Sequence, residues 1–333
     1  MFPPMKLPTL FASAALVAAA THLTADYFPP PDSAGGWRQA QTEKEVRKLA
    51  GMDLRQLEPA YEITQRSTAN GGLLVVHRGY LCFERYFGRA SRNANPDMAS
   101  TGKAFTSIAC GIMLSEFKSK IPDGLATRVF TEKYLPEAFP LNDPRKADIT
   151  LSQLLCMTGG TWGEGDKPSG FVLGQPQSLA PVPGQNIRDL DQSSLRIPLW
   201  CAPGAGYSYS SPAPHIASMV LRNVTGMELQ DYIAERLAKP QGWGAWGYCL
   251  HRGDFVMPHA NGAGSIALHA TDALRFGYCL ARNGQWQGKQ LVPPDYIKKC
   301  RTMSPDNPHT PFSLQWEHNA EGHVAGAPKA AFW

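Results

Sequence analysis

The sequence predicts an α+β fold: an antiparallel sheet built from both ends of the chain, flanked by helices, with a mainly helical region inserted between them. Three observations carry this reading. Between Gly72 and Phe87 the run GLLVVHRGYLCFERYF places two β-rich stretches around Arg78-Gly79, a hairpin signal. The middle of the chain, about residues 125–240, alternates helical pieces with turns. Near the end, Phe312 to Glu317 (FSLQWE) and His323 to Trp333 read as strands returning to the sheet. With 333 residues of which 43% are hydrophobic, the chain holds enough apolar material for one large domain or two intimately packed ones.

The elements follow in order. Lys6 precedes an apolar stretch from Leu7 to Ala20, then small residues with cleavage points at Ala20 or Ala25. This is the order of a signal peptide over residues 1–25, with a buried N-terminal helix as the alternative. The stretch is short of the roughly 20 apolar residues a membrane span needs, and it contains no Cys for lipid attachment. A soluble, exported mature chain starting near Asp26 is expected, periplasmic or extracellular, with no stable membrane span after cleavage. Residues 26–71 read as a leader and first helix; the segment YFPPPDSAGGW, Tyr27 to Trp37, is Pro/Gly-rich and reads as extended. Residues 72–333 form the main domain.

Ser100 to Phe117 has Phe105, Ile108, Ile112 and Met113 or Leu114 at near-helical spacing, which predicts a helix that buries one face. Further helices are expected over Leu151–Met157, over His215–Val224 ending at Gly226, and over Glu228–Leu237 ending before Pro240. Thr271 to Leu280 reads as another, capped by Thr271.

Composition excludes several functions. The net charge of +4 is small and the basic residues are scattered, so nothing marks a nucleic-acid surface. The seven cysteines (Cys82, Cys110, Cys156, Cys201, Cys249, Cys279 and Cys300) are odd in number, widely spaced and without a CxxC pair. That spacing argues against a disulfide framework or zinc site, and no metal or cofactor is expected.

The chemistry gathers in the first turn of the Ser100 helix. Ser100 and Lys103 at i, i+3 share a helical face, close enough for an amine to take the hydroxyl proton during attack on a carbonyl. Backbone N–H groups and the positive dipole end lie beside such a nucleophile and favour an oxyanion; with burial, the same field would lower the lysine pKa. Ser-x-x-Lys alone is a weak signal. Ser115 and Lys118 also match it, but they fall at the polar end of the helix, where solvation explains them. For Ser100 the competing explanation is a simple helix cap.

A second element is PGAGYSYSS, Pro203 to Ser211, a turn leading into hydroxyl-rich residues before a helix. A tyrosine there, near a lysine ammonium, can shuttle a proton; taken alone it is more often a half-buried aromatic with a bonded tip.

Ser100-Thr101-Gly102-Lys103 entering the apolar run, then LSQLLCMTGG at Leu151 to Gly160, then PGAGYSYSS, resembles the serine β-lactamase-related superfamily. Its class C β-lactamases, family VIII esterases, 6-aminohexanoate-dimer hydrolases and penicillin-binding proteins are the similar branches. The resemblance runs from about Gly72 to the end of the chain. It implies a β-lactamase/transpeptidase-like fold, Ser100 as acylated nucleophile, Lys103 as its base and Tyr209 as the second proton-transfer residue of a Tyr-x-Asn motif. Ser211 stands where that motif most often has Asn and would bind substrate. Tyr207 is the rival tyrosine, disfavoured because Tyr209, not Asn or Ser, stands two residues on. The family's third element, a Lys-Thr-Gly or His-x-Gly strand, is not found; GAPKAAFW, Gly326 to Trp333, resembles the stretch leading into it, so the final strands and third motif are expected to be missing. The loop His259-Ala260-Asn261-Gly262 is given no role.

The expected function is a serine hydrolase acting through an acyl-enzyme on a small-molecule ester, amide or β-lactam. A D-alanyl-D-alanine peptidase is the alternative within the superfamily, and a catalytically silent binding protein the alternative outside enzymes. Trp162, Trp243 and Trp246 are candidates for an acyl pocket or for the core. No G-x-S-x-G elbow occurs, which counts against an α/β-hydrolase.

Overall fold

The computed structural model describes residues 27–163, 169–170, 189–252, 255–308 and 310–333. The signal peptide expected over residues 1–25 lies outside the described residues. The expected hairpin forms from β1 (Gly71–His77) and β2 (Tyr80–Phe87), paired antiparallel from Gly71↔Phe87 to His77↔Tyr80. Arg78 and Gly79 between them both adopt left-handed backbone, φ 51° and 77°. A two-residue turn needs this to match the right-handed twist of its strands. Helix α1 (Leu54–Ser67), capped by the Asp53 side chain on the Arg55 N–H, packs behind the hairpin. A small core of Val46, Ala50, Leu57, Cys82 and Phe83 closes between them.

The main core is organised around α2 (Gly102–Glu116). The apolar spacing predicts one buried face, yet every residue from Gly102 to Met113 is buried. The reason is that three other helices surround α2: α5 (Pro212–Thr225), α6 (Leu229–Ile233) and α8 (Pro294–Cys300). Small residues allow this. A Cβ on Gly111 would lie 2.5 Å from the Tyr296 ring of α8, so only Gly lets the two helices approach so closely.

The inserted region contains α3 (Leu151–Leu155), started by a capping box between Thr150 and Gln153, and α4 (Leu190–Leu195), which packs against α5. After α6 the chain does not stop before Pro240 as expected. A π-helical turn, Ala234–Ala238, leads into a helical turn at Lys239–Gln241 that ends at Gly242, φ 68°. Pro240 is the second residue of that last turn, which continues from the π-helical turn without a break.

Helix α7 (Ala270–Ala281) is preceded by His269 at the cap position; Thr271 lies inside the first turn, where its Oγ1 donates to Asp32 Oδ2 at 3.0 Å. That bond belongs to a long-range clamp that packs the leader segment Tyr27–Trp37 onto the main domain. The buried Arg275 guanidinium of α7 donates to Asp32 Oδ1 and to the Pro30 carbonyl, each at 2.6 Å, and Trp37 is 2% exposed. A buried guanidinium is tolerated only when so paired; Asp272 of the same helix, at 2.9 Å, adds to the partners supplied by the Pro/Gly-rich segment.

Five further two-stranded ribbons occur among the described residues, two of which frame the site. Strand β3 (Trp246–Tyr248) pairs antiparallel with β4 (Ile266–Leu268), and β5 (Phe312–Ser313) with β6 (Trp316–Glu317). Among the described residues every sheet is two-stranded, so the α+β architecture consists of small antiparallel ribbons among helices. The strands of the two chain ends stand apart because α7 lies against β1 on one side and faces the β5–β6 hairpin across a cavity on the other. Residues 323–331 are turns rather than the expected strand; only Phe332 bridges back, to His318.

One buried cation tests the electrostatics of this core. Lys146 is fully buried, its Nζ donating to the Leu195 carbonyl at 2.6 Å and to Asn142 Oδ1 at 2.8 Å. Burial pushes its ammonium down to about 8, with Asp143 opposing and Arg196 adding to the shift. Between that value and the ordinary lysine range the unfolded chain holds the extra proton, so this residue makes stability rise with pH, by about 1.4 kcal/mol per unit. Below both values it costs stability. Comparing urea unfolding of wild type and Lys146→Met at pH 7 and pH 9.5 should show the difference moving in favour of wild type at the higher pH; parallel profiles would contradict the shift.

Candidate active site

The nucleophile turn is built before the helix begins. Ala99–Thr101 form a 3-10 turn, with Ala99 in left-handed backbone at φ 46°. A non-glycine residue there stores strain, and three bonds hold it: Ala99 N–H to Asp97 Oδ1 at 2.8 Å, Met98 N–H to the Ile266 carbonyl of β4 at 2.8 Å, and Ser265 N–H to the Ala99 carbonyl at 3.1 Å. Gly264 makes the last contact possible, because a Cβ there would meet the Ala99 oxygen at 2.4 Å. Gly102 meets Gly264 from the helix side; its Cβ would lie 2.7 Å from the Gly264 Cα.

Ser100 is therefore exposed just ahead of α2, while Lys103, in the first α-helical turn, is 3% exposed. Lys103 Nζ lies 2.9 Å from Ser100 Oγ, 3.1 Å from Ser211 Oγ and 2.8 Å from the Ala263 carbonyl oxygen. It also sits 4.9 Å from the centroid of the Tyr209 ring. The structure thus brings together all four residues singled out from the sequence: Ser100, Lys103, Tyr209 and Ser211.

The LSQLLCMTGG and PGAGYSYSS stretches meet here because the chain at Met157–Gly163 clamps the strip that carries Tyr209. Ser208 N–H donates to the Met157 carbonyl at 3.2 Å, and Ser210 Oγ donates to the Trp162 carbonyl at 3.0 Å. Gly163 closes the clamp: a Cβ on it would lie 2.1 Å from the Tyr209 carbonyl oxygen. Held on this strip, the Tyr209 ring faces Lys103, while Tyr207 packs against Phe312 with ring centroids 5.6 Å apart. Ser115 and Lys118 are exposed at the far end of α2, as their polar surroundings suggest.

Ser100, Lys103 and Tyr209 open into a cavity of about 840 Å³. Its apolar wall comes from Phe276 and Leu280 of α7, Phe312, Trp316 and Phe332. The aromatic rings run in series, Phe276 to Trp316 at 6.3 Å and Trp316 to Phe332 at 4.9 Å between centroids. Trp243 and Trp246 lie outside this lining; they pack edge-on to each other in the core, with Trp243 also against Phe105. Trp162 belongs to the Ser210 clamp. Among the described residues no group of three or more His, Cys, Asp or Glu side chains is placed to hold a metal ion.

Sequence reasoning missed the Ala263 carbonyl. A backbone acceptor has no side-chain signature, although the Gly262-x-Gly264 spacing beside Ser265 marked a close backbone approach. It also missed the α7 wall, which the Ala273, Phe276, Gly277, Leu280 periodicity encodes as a face without saying what that face meets. His259 keeps away from Lys103 in these contacts; its Nδ1 pairs with Glu228 Oε1 at 3.0 Å.

Comparison with known proteins gives the family and the fold. The Beta-lactamase family model matches residues 40–296. The protein flp of Staphylococcus aureus strain MW2 is 22% identical over 189 residues, which is 54% of this chain and 35% of that protein. The chain thus matches about a third of the length of this curated relative. Among solved structures, a Bacillus anthracis protein described as a 6-aminohexanoate-dimer hydrolase superposes with a TM-score of 0.60 at 20% identity, covering 87% of this chain and 75% of that one. A penicillin-binding-protein homologue from Caulobacter crescentus gives 0.57 at 13% identity, covering 84% of each chain. At such identities the likeness is one of fold.

Proposed function

The chain belongs to the beta-lactamase family, and from that premise we propose that it is a serine hydrolase that acylates Ser100 with an ester or amide substrate. The observation that carries the reading is the placement of three oxygens, of Ser100, Ser211 and Ala263, around Lys103 Nζ. A neutral amine has two hydrogens and one lone pair. The Ala263 carbonyl can only accept, so it takes one hydrogen; Ser211 Oγ takes the other, and the lone pair faces the Ser100 hydroxyl at 2.9 Å. Protonated, the same nitrogen has three hydrogens for the same three oxygens. A proton is therefore taken up and returned without moving the side chain.

In the acylation step Ser100 Oγ bonds to the substrate carbonyl carbon, its proton passes to Lys103 Nζ, and the carbonyl electron pair moves onto oxygen, which develops charge beside the N-terminus of α2. Collapse breaks the bond to the leaving oxygen or nitrogen. That atom takes the proton back from Lys103, directly or through the Tyr209 hydroxyl. Water then repeats the sequence on the acyl-enzyme. Ser211, in place of an amide side chain, offers a hydroxyl to lysine and substrate.

The cavity favours apolar acyl groups, since its wall beyond the polar trio is mostly aromatic and aliphatic and its volume suits a small organic ligand. Export is part of the same proposal, supported by the Lys6, apolar and small-residue order of residues 1–25. An oxidising compartment is compatible with the buried thiols of Cys110, Cys201 and Cys279, which burial pushes up to about 12, 11 and 12, leaving them unreactive near neutral pH. The test is a substrate panel with mass analysis of the quenched enzyme. p-Nitrophenyl butyrate is expected to turn over through a butyryl-enzyme, faster than a chromogenic cephalosporin or an acetylated Lys-D-Ala-D-Ala peptide. Turnover without any covalent species would contradict the proposal, and turnover of the peptide alone would favour the D-alanyl-D-alanine peptidase instead.

A further inference from the structure

We propose that His215 is a positioning residue for Lys103, acting through the backbone of Gly262 and Ala263; this rests on the reading of Ser100 and Lys103 just given. His215 lies one turn into α5, the helix that Ser211 precedes, and is 1% exposed. It does not touch the lysine. Its Nδ1 accepts the Gly262 N–H at 3.2 Å, which requires that nitrogen to be unprotonated. The ring hydrogen then belongs on Nε2, which donates to Asp191 Oδ1 of α4 at 2.8 Å. Asp191 is built for that duty. Burial raises its carboxyl, but the His215 bond and the Arg222 guanidinium, 2.9 Å from Oδ2, outweigh burial and hold it well below the usual carboxylate range. An ionised carboxylate thereby fixes the imidazole in one tautomer and one orientation.

The segment so held is the one that carries the Lys103 acceptor. Ala263 offers its carbonyl to Nζ, and the residue before it, Gly262, is pinned on both sides, by His215 on its N–H and by Thr106 Oγ1 of α2 on its carbonyl at 2.7 Å. Asn261 closes the turn beneath, its Oδ1 accepting from the Ala263 N–H at 2.9 Å. Gly262 presses directly on α5, where a Cβ would meet Ser218 Oγ at 2.5 Å and the Pro214 carbonyl at 2.6 Å. Thr106 fastens the segment to the helix of the nucleophile; His215 fastens it to the helix that follows Ser211. The ring thus couples the segment that carries the Ala263 carbonyl to the helix that follows Ser211, and releasing it frees that carbonyl from its place.

The two nitrogens of His215 can be tested separately. His215→Asn places an acceptor where Nδ1 stands and drops the bond to Asp191; His215→Gln can reach Asp191 and drops the acceptor for Gly262. The readouts are the rate of Ser100 labelling by a fluorophosphonate, the melting temperature, and the ¹³Cε resonance of Lys103 in the full-length mature protein labelled with ¹³C-lysine and assigned with Lys103→Arg. Labelling is expected to fall further in His215→Gln than in His215→Asn, by tenfold or more, because a displacement of about 1 Å costs on the order of 100-fold. The Lys103 resonance should move more in His215→Gln, even if its melting temperature is the higher of the two. Labelling and resonance that simply follow melting temperature, or that suffer more in His215→Asn, would overturn the proposal. Failure of wild type to label at Ser100 would overturn the nucleophile reading instead, and the resonance would still decide whether His215 sets Lys103.

Discussion

Ser100→Ala is expected to lower kcat/KM for p-nitrophenyl butyrate by on the order of 10⁴-fold, with a melting temperature close to wild type. The size of the effect follows from the role. Without Oγ there is no atom to form the acyl bond, and the residual rate comes from substrate binding and whatever donors polarise the carbonyl. The small structural effect follows from position. Ser100 is exposed, and Lys103 Nζ keeps the Ala263 carbonyl and Ser211 Oγ as acceptors when Oγ is removed. Steady-state kinetics and a thermal melt on the same preparation separate the two. Activity within tenfold of wild type would move the nucleophile elsewhere.

Lys103→Met is expected to cost about as much in rate by a different route. It removes the proton acceptor for Ser100, which general-base contributions place at roughly 10²- to 10⁴-fold, with the loss in kcat rather than KM. It also leaves the Ala263 carbonyl and the Ser211 hydroxyl without the donor they share, a desolvation penalty of about 1–3 kcal/mol. Lys103→Met should therefore be both slow and less stable, whereas Ser100→Ala is slow and stable. Equal stability in the two variants would mean that the lysine is not the hub of its three oxygens.

What the sequence made legible follows the range of the interactions involved. The Ser100–Lys103 pair and its helix were readable because the chemistry fixes a local spacing and the apolar run follows at once. The β1–β2 hairpin was readable because Arg78-Gly79 is a local turn signal. The clamp of Asp32 by Arg275 was not, since the two lie far apart in sequence and the Pro/Gly composition around Asp32 reads as loose chain. The turn between β5 and β6 is likewise unmarked: Leu314 and Gln315 adopt left-handed backbone at φ 48° and 71° without a glycine, held by Ser107 Oγ donating to the Leu314 carbonyl at 2.5 Å. The site shows the same division. Its side chains were found from motifs, while the carbonyl of Ala263 and the apolar wall from α7 and the β5–β6 hairpin depend on packing between distant segments. His215 reads in sequence as one polar residue on an apolar helix, and only its two bonded nitrogens reveal what it holds.

The central claim is that Lys103 activates Ser100 for covalent attack, and intact-mass spectrometry of the folded protein after exposure to a fluorophosphonate tests it most directly. The account predicts a single adduct, mapping to Ser100, absent in Ser100→Ala and formed far more slowly in Lys103→Met. A folded wild-type chain that takes up no adduct, or takes it up at another residue, would contradict it.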